Sequence, residues 1–406
     1  MLIKGKYNTA KVFSKNIDKE TKLQIERLLD QDFIKDKSIR IMPDCHAGAG
    51  CVIGFTANLG DKIIPNIVGV DIGCGMLVVE LGKIEIDLKK FDSIVKKYIP
   101  AGKEMHNLPK ERHPDIEKLY CYRELKNSKR FERSIGTLGG GNHFIELDKD
   151  DSENVYLVIH SGSRNLGYQI AQHYQKLAIN LRKGMDKFYK EKEKLIKEYK
   201  AKGKKKEIQK QLKKMKREYK KIEPDYPKDL CFLEGEYRYK YLHDMKIAQN
   251  YASKNRKTMA KIILNRMWNK DLDDYIYWET IHNYIDHDTN MIRKGAISAH
   301  LGEKVLIPLN MRDGALICIG KGNEDWNNSA PHGAGRIMSR RQAHENLNME
   351  EFKKQMKDIY STSVSIDTLD EAPMAYKPME EIIAAIKDTV EIEKHIKPIY
   401  NFKAKE

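Results

Sequence analysis

Three stretches of this chain share one texture: short β-branched runs cut by glycine, proline and aspartate. They extend from Ile39 to about Glu80, from Ser134 to Gly167, and from Ala296 to Gly335. Runs of that length bounded by turn residues read as buried strands joined by tight loops. Stretches with helical spacing lie between them. Residues 18–34, "DKETKLQIERLLDQDFI", form one, with Asp18 as its cap. The alternation gives no clean βαβ repeat. The glycine-rich loops with chemically reactive residues fall in all three regions, as expected of a site carried on a strand scaffold.

One segment differs. Between Leu181 and Ile222 there are 19 Lys/Arg against 6 Asp/Glu, or +13, which leaves only about +2 of the formal +15 for the rest of the chain. Apolar residues recur there at Leu181, Met185, Phe188, Leu195 and Tyr199, and again at Ile208, Leu212, Met215, Tyr219 and Ile222. Two heptad seams on either side of "KAKGKKK" predict an antiparallel helical hairpin over residues 178–224, seams facing each other and lysines outward. A solvated coiled coil and an arm resting on RNA phosphates fit that pattern equally. The six cysteines (Cys45, Cys51, Cys74, Cys121, Cys231, Cys318) have no framework spacing, so thiols or metal ligands are expected rather than disulfides. The opening "MLIKGKYNTAKVF" has no apolar core and no apolar run approaches the ~20 residues of a membrane span, so no membrane partner and a cytoplasmic location are expected.

Chemistry concentrates in a few motifs. "VGVDIGCGM" puts Asp71 and Cys74 three apart in a glycine loop, where a carboxylate and a thiolate can grip one cation and a thiolate can bridge two. "GGGNHFIEL" carries Asn142, His143 and Glu146; "VIHSGSR" carries His160 and Arg164; "IHN" carries His282 and Asn283. Any one of these histidines is ordinary. Together with Asp71 and Cys74 they suggest a mixed N, O and S site suited to Mn, Fe, Co or Zn rather than Mg or Ca. In "SAPHGAGRIMSRR", His332 could serve as base, ligand or nucleophile. Gly333 and Gly335 leave room for a phosphate, with a helix start and Arg336, Arg340 and Arg341 behind them. No "GxxxxGK[ST]" occurs, so this is not an ordinary P-loop.

"MPDCH", "VGVDIGCGM", "GGGNHF", "HSGSR", "HN" and "HGAGRxMSR" stand in the order found in the RtcB family of GTP-dependent RNA ligases, and the chain resembles that family from about Ile41 to Lys403. The resemblance implies a single α+β catalytic domain over residues 1–406, mixed sheets flanked by helices, with the basic hairpin inserted. It implies that His332 takes GMP from GTP, and that two Mn²⁺ ions lie on Asp71, Cys74, His143, His160 and His282, with Cys74 bridging. RNA with a 3′-phosphate or 2′,3′-cyclic phosphate would be joined to RNA with a 5′-hydroxyl, through an RNA-(3′)pp(5′)G stage, in tRNA splicing or RNA repair. By the same matching, the nucleotide contacts are Asn142, His143, Phe144, Ile145, Glu146, His282, Asn283, Pro308, Leu309, Asn310, Met311, His332, Gly333, Ala334, Gly335 and Lys403. Arg164, Lys294 and Arg336 would hold phosphates, and Asp44 would support the metal shell. The chain departs from the family pattern at Ala49, Asn165, "PLNM" (308–311), Ala315 and the final "KAKE". The alternatives are a guanylyltransferase that caps a 3′-phosphate without sealing, and an RNA-binding protein with a structural metal.

Overall fold

The computed structural model describes residues 1–202, 204 and 207–404. Fifteen strands are seen among them: β1 (Leu2–Lys4), β2 (Thr9–Val12), β3 (Arg40–His46), β4 (Ile53–Asn58), β5 (Gly75–Gly82), β6 (Phe144–Lys149), β7 (Val155–Ser161), β8 (Tyr277–Ile281), β9 (Asn283–Asp286), β10 (Met291–Lys294), β11 (Ala296–Ser298), β12 (Lys304–Asn310), β13 (Gly314–Gly320), β14 (Ser329–Pro331) and β15 (Val390–Lys403). The main helices are α1 (Lys19–Leu29), α2 (Leu88–Tyr98), α3 (Lys129–Arg133), α4 (Arg164–Arg182), α5 (Met185–Ala201), α6 (Ile208–Lys221), α7 (Gly235–Trp268), α8 (Arg340–Asn346), α9 (Met349–Gln355) and α10 (Met379–Ile386). The fold is α+β, as expected. The expected first helix ends earlier than its spacing suggests: Asp18 caps α1 through the Thr21 amide, and residues 32–34 form a separate 3₁₀ turn.

A seven-stranded sheet runs β12-β13-β15-β6-β7-β5-β8, and a six-stranded sheet runs β1-β2-β3-β4-β10-β9. Every pairing in the first is antiparallel; in the second only β2–β3 is parallel. Alternation sorts the seven-stranded sheet's side chains. Leu77, Val79, Ile145 and Leu157 face a core closed by Phe91 of α2 and Ile263 of α7. Met76, Val78, Phe144 and Val158 face the other way, against Leu306 and Ile317. A short ladder, β11 on β14, pairs Ala296 with Pro331 and delivers the chain into His332.

Register then gathers the candidate ligands. Met76 sits opposite His160, Phe144 opposite His160, and Gly75 opposite both Ser161 and Ile281. Cys74, His143, His160 and His282 therefore meet at one end of the four neighbouring strands β6, β7, β5 and β8. Helix α7 braces that end with two buried polar residues. Asn255 accepts from the Gly136 and Thr137 amides and donates to the Thr137 and Gly162 carbonyls and to Ser161 Oγ. Arg256, 0% exposed, donates to the Gly73 carbonyl (2.7 Å), the Ser161 carbonyl (2.8 Å) and Glu279 (2.8 Å).

The basic segment folds as two helices in contact. Phe188, near the start of α5, lies 4.6 Å from Tyr219, near the end of α6, so they run antiparallel. Their heptad residues from Met185 to Tyr219 are half-buried and their lysines mostly exposed. Gly203, Lys205 and Lys206 of the anticipated turn lie outside the described residues, as do Lys405 and Glu406.

Asn255 satisfies five groups that have no route to water, and each one orphaned costs about 1–3 kcal/mol. Asn255→Leu should therefore lower unfolding stability by more than about 3 kcal/mol, read from urea unfolding. A loss under about 1 kcal/mol would show that the loops hold themselves.

Candidate active site

Three short contacts define the centre. Cys74 Sγ lies 3.5 Å from His143 Nε2 and 3.3 Å from His160 Nε2, and His160 Nε2 lies 3.1 Å from His282 Nε2. Asp71 Oδ2 lies 3.0 Å from His143 Nε2. The donors fall into two groups that share the sulfur: Cys74, His160 and His282, and Asp71, Cys74 and His143.

The chemistry of this donor set fits a cation. His143 Nδ1 donates to the Leu138 carbonyl and His160 Nδ1 to the Asn142 carbonyl, and because a carbonyl only accepts, Nδ1 carries the hydrogen in both rings. In the neutral rings each Nε2 is then a bare lone pair aimed at a sulfur, and for His143 also at a carboxylate oxygen. A proton on sulfur or on a ring nitrogen can bridge one or another of these contacts, whereas a cation shared by the sulfur, the carboxylate and the lone pairs would satisfy them all at once, and the donor set fits one. Burial, and then the Asp71 charge, push the Cys74 thiol well above its usual range. Burial also holds His160 and His282 well below the ordinary imidazole value, His282 further through His332 and His160 through His143. Both rings are thus neutral, the form in which an imidazole can bind a metal. Burial works against ionisation of Asp71, but its bond to His143 and the nearby positive groups outweigh that and hold its carboxyl below the usual range.

His332 stands at the edge of this cluster, its ring 4.9 Å from that of His282. Asp44, on β3 and 0% exposed, takes both the His332 amide (3.1 Å) and Nδ1 (2.6 Å) on Oδ2. Asp44 thus orients His332, rather than supporting the metal shell as expected from sequence. With Nδ1 on Asp44, Nε2 is the ring's remaining lone-pair atom. The loop after His332 must pass close to Asp44. Gly335 has φ of +73°, and a Cβ there would come within 2.8 Å of the Asp44 carbonyl. The expected helix start behind the loop lies further on. Helix α8 begins at Arg340 and is capped by Ser339 in a capping box with Gln342, which engages the Ser339 and Gln342 amides.

A pocket opens beside His332. Its walls include Asn142, Phe144 and Glu146, the run Pro308 to Met311, the run His332 to Arg336, and Lys403. Most of the expected nucleotide contacts are thus brought together, with Arg340 of the expected arginine cluster beside them and unforeseen additions in His46, Glu371 and Tyr376. Others are placed elsewhere. Ile145 turns its side chain into the opposite core. Asn283 ties loops, its carbonyl accepting from Gly73 and its side chain from Gly295. Lys294 was expected to hold phosphate, but its ammonium donates to the Ala49 and Cys51 carbonyls and braces the loop after β3; burial lowers its pKa to about 8. Arg164 is spent on Thr137 Oγ1 and the Gly102 carbonyl beneath the triple glycine. Arg336 reaches the pocket while pairing with Glu371 (3.2 Å).

Glu371 anchors the pocket's charged rim, with Lys403 at 2.7 Å, Arg340 at 3.0 Å and the Tyr376 hydroxyl at 2.6 Å. Its burial opposes ionisation, but Lys403 and Arg340 prevail and hold the carboxyl down at about 2. Glu146 behaves oppositely: burial raises it to about 7 despite Asn401 and Lys403. Asn255, Arg256, Glu279 and Glu371 were invisible in sequence, because nothing local separates them from surface polar residues.

A buried cluster of thiol, imidazole and carboxylate donors beside an aspartate-tethered histidine, opening on a glycine-walled pocket, defines an enzyme of phosphate chemistry. Comparison with known proteins makes it an RNA ligase. The family model described as "tRNA-splicing ligase RtcB" matches residues 24–121 and 110–404, and the chain belongs to that family. It is 28% identical over 394 residues to the RNA-splicing ligase RtcB of Escherichia coli K12, covering 88% of this chain and 87% of that one. It is 24% identical over 435 residues to the tRNA-splicing ligase RtcB of Methanococcus maripaludis, covering 86% and 84%. No helix among the described residues is long and apolar enough to cross a membrane.

The Glu371 geometry sets a pH dependence. Its folded value lies below the ordinary 4.5, so the fold favours the ionised form. The stabilisation is complete above about pH 4.5 and fades as pH falls toward about 2. Glu371→Gln should flatten the stability–pH curve in that window, measured by urea midpoints; an unchanged slope there would assign the acid sensitivity to other carboxylates.

Proposed function

We propose that this chain is a GTP-dependent ligase that joins an RNA 3′-phosphate or 2′,3′-cyclic phosphate end to a 5′-hydroxyl end, with His332 as its nucleophile. The observation that carries this reading is the placement of His332: Nδ1 fixed on a fully buried carboxylate, 2.6 Å away, in the wall of the pocket and against the donor cluster. Asp44 selects the tautomer that leaves Nε2 nucleophilic and stabilises the ring as it gains charge.

Nε2 attacks the α-phosphorus of GTP, the bond to the bridging oxygen breaks, and pyrophosphate leaves with His332 bonded to GMP. A cyclic phosphate end is opened by water to a 3′-phosphate. An oxygen of that phosphate displaces His332 from the GMP phosphorus, giving RNA-(3′)pp(5′)G and restoring the imidazole. The 5′-hydroxyl of the second strand then attacks the RNA 3′-phosphorus, loses its proton and expels GMP, leaving a 3′,5′ linkage. A 3′-phosphate is a poor electrophile until it carries such a leaving group, and the covalent stage divides that activation in two. Asp71, Cys74, His143, His160 and His282 would hold two Mn²⁺ ions, with Cys74 shared, supplying Lewis-acid charge to phosphoryl oxygens. Gly333 and Gly335 let the phosphates approach, and Arg336 and Lys403 offer charge at the rim. The six free thiols suit a reducing compartment, the cytoplasm.

Incubation with Mn²⁺ and α-labelled GTP should leave acid-labile label on the wild type and none on His332→Ala. Asp44→Asn should label at least about 100-fold more slowly. Label on His332→Ala would sink the assignment, and label transferred to a 3′-phosphate without joining a 5′-hydroxyl strand would make the chain a capping enzyme. For the metals, Mn²⁺ titration followed by electron paramagnetic resonance should find two ions on the wild type. Cys74→Ala should weaken both by at least about 10-fold and Asp71→Asn only one; equal effects of the two variants would refute a shared sulfur.

A further inference from the structure

The charge of the antiparallel hairpin is carried unevenly by its two helices. Helix α6 has seven cations (Lys210, Lys213, Lys214, Lys216, Arg217, Lys220 and Lys221) and a single acid, Glu218. All seven are exposed, and none has an ion pair or hydrogen bond among the described residues. Helix α5 is different: six lysines are offset by four acids, and Glu198 bonds Lys202 at 2.6 Å. A merely solvated helix gains from Glu–Lys pairs three or four residues apart. Helix α6 instead repeats like charges at that spacing, as in Lys213–Arg217, Lys216–Lys220 and Arg217–Lys221, each unfavourable in isolation. An anionic partner turns that penalty into binding energy.

We propose that α6 is a docking strip for the phosphate backbone of the RNA being joined, engaging the body of that RNA away from its ends. This rests on the chain's membership of an RNA ligase family. The hairpin leaves the body where α4 ends. Helix α4 begins at Arg164, next to the Ser163 amide that bonds Asp71, and its 19 residues span about 28 Å. The strip therefore meets RNA well beyond the reacting ends. Charge complementarity favours a polyanion, and the apolar residues argue against an anionic membrane. Leu212, Met215 and Tyr219 are half-buried, with Tyr219 packed against Phe188 and its hydroxyl donating to the Asn180 carbonyl, so α6 has no free apolar face to insert. The phosphate contacts carry no sequence preference, so the strip extends the substrate range to long structured RNA rather than selecting one sequence.

The test is a variant with Lys213, Lys216, Arg217 and Lys220 all changed to Gln, which keeps helix propensity and relieves repulsion. Against the wild type, its affinity for a long structured RNA should fall about 100-fold near 0.2 M salt, with the log–log salt slope smaller by about 3. Labelling of His332 by GTP, and sealing of strands about five nucleotides long, should be unchanged. Unchanged long-RNA affinity and slope overturn the proposal, and so does an effect confined to phosphatidylserine vesicles or to polyglutamate. Binding is read separately from sealing. A wild type that binds RNA with the expected slope but joins no ends would sink the ligase mechanism and leave the strip standing.

Discussion

The register of four antiparallel strands, β6-β7-β5-β8, is the constraint on which the rest depends. The candidate ligands sit at or near strand ends, and apart from the Asp71–Cys74 pair none is near another in sequence. Side chains alternate across a sheet, so a slip of one residue between β5 and β7 would send His160 to the opposite face, into a core of leucines and isoleucines. Two features hold the register. One is that core, whose burial is lost on any slip. The other is Gly75, where a Cβ would come within 2.5 Å of the Thr280 carbonyl, so that β8 can approach only a bare backbone. The sheet is thus specified mainly by residues that do no chemistry.

Behind the strand ends lies a second layer, unusually polar for a core. A buried guanidinium is costly to desolvate, and the two carbonyls and the carboxylate on Nε and Nη1 offset part of that cost, while Nη2 is buried with no partner among the described residues. Through Asn255 and Arg256, α7 holds the Asp71–Cys74 loop, the triple-glycine loop and the end of β7 in fixed relation to one another. Gly162 shows how close the fit is. A Cβ there would meet the Asp71 carboxylate at 2.3 Å. Preorganisation of this kind spares the site from rearranging during turnover.

Part of this was legible in the sequence. The motif loops, the Asp18 cap and the paired heptads are local signals, and they mark where α1, the hairpin and the reactive residues lie. Longer-range features were not. Strand β15 reads as charged because glutamates and lysines punctuate it, yet it lies inside the large sheet between β13 and β6, bulging against each. Asn255 sits in a helix of ordinary polarity, and its purpose shows only once loops from residues 136 and 162 are seen against it. Lys294 and Arg164 look like phosphate ligands because a cation beside glycine is ambiguous; only geometry shows that backbone carbonyls occupy them. Asp44 stands 288 residues from the imidazole it orients, a distance no motif spans.

The place of β15 bears on how the chain is made. Strand β6 pairs on one side with its hairpin neighbour β7, but its other edge waits for a strand that does not yet exist. Glu146 meets Asn401 255 residues later, which at ribosomal speeds of 5–20 residues per second is roughly 10–50 s of synthesis. Through that interval the nascent chain carries an open, apolar sheet edge. Such an edge invites pairing with other chains. A chain ending before residue 390 would keep that edge open and lack Lys403 from the pocket wall.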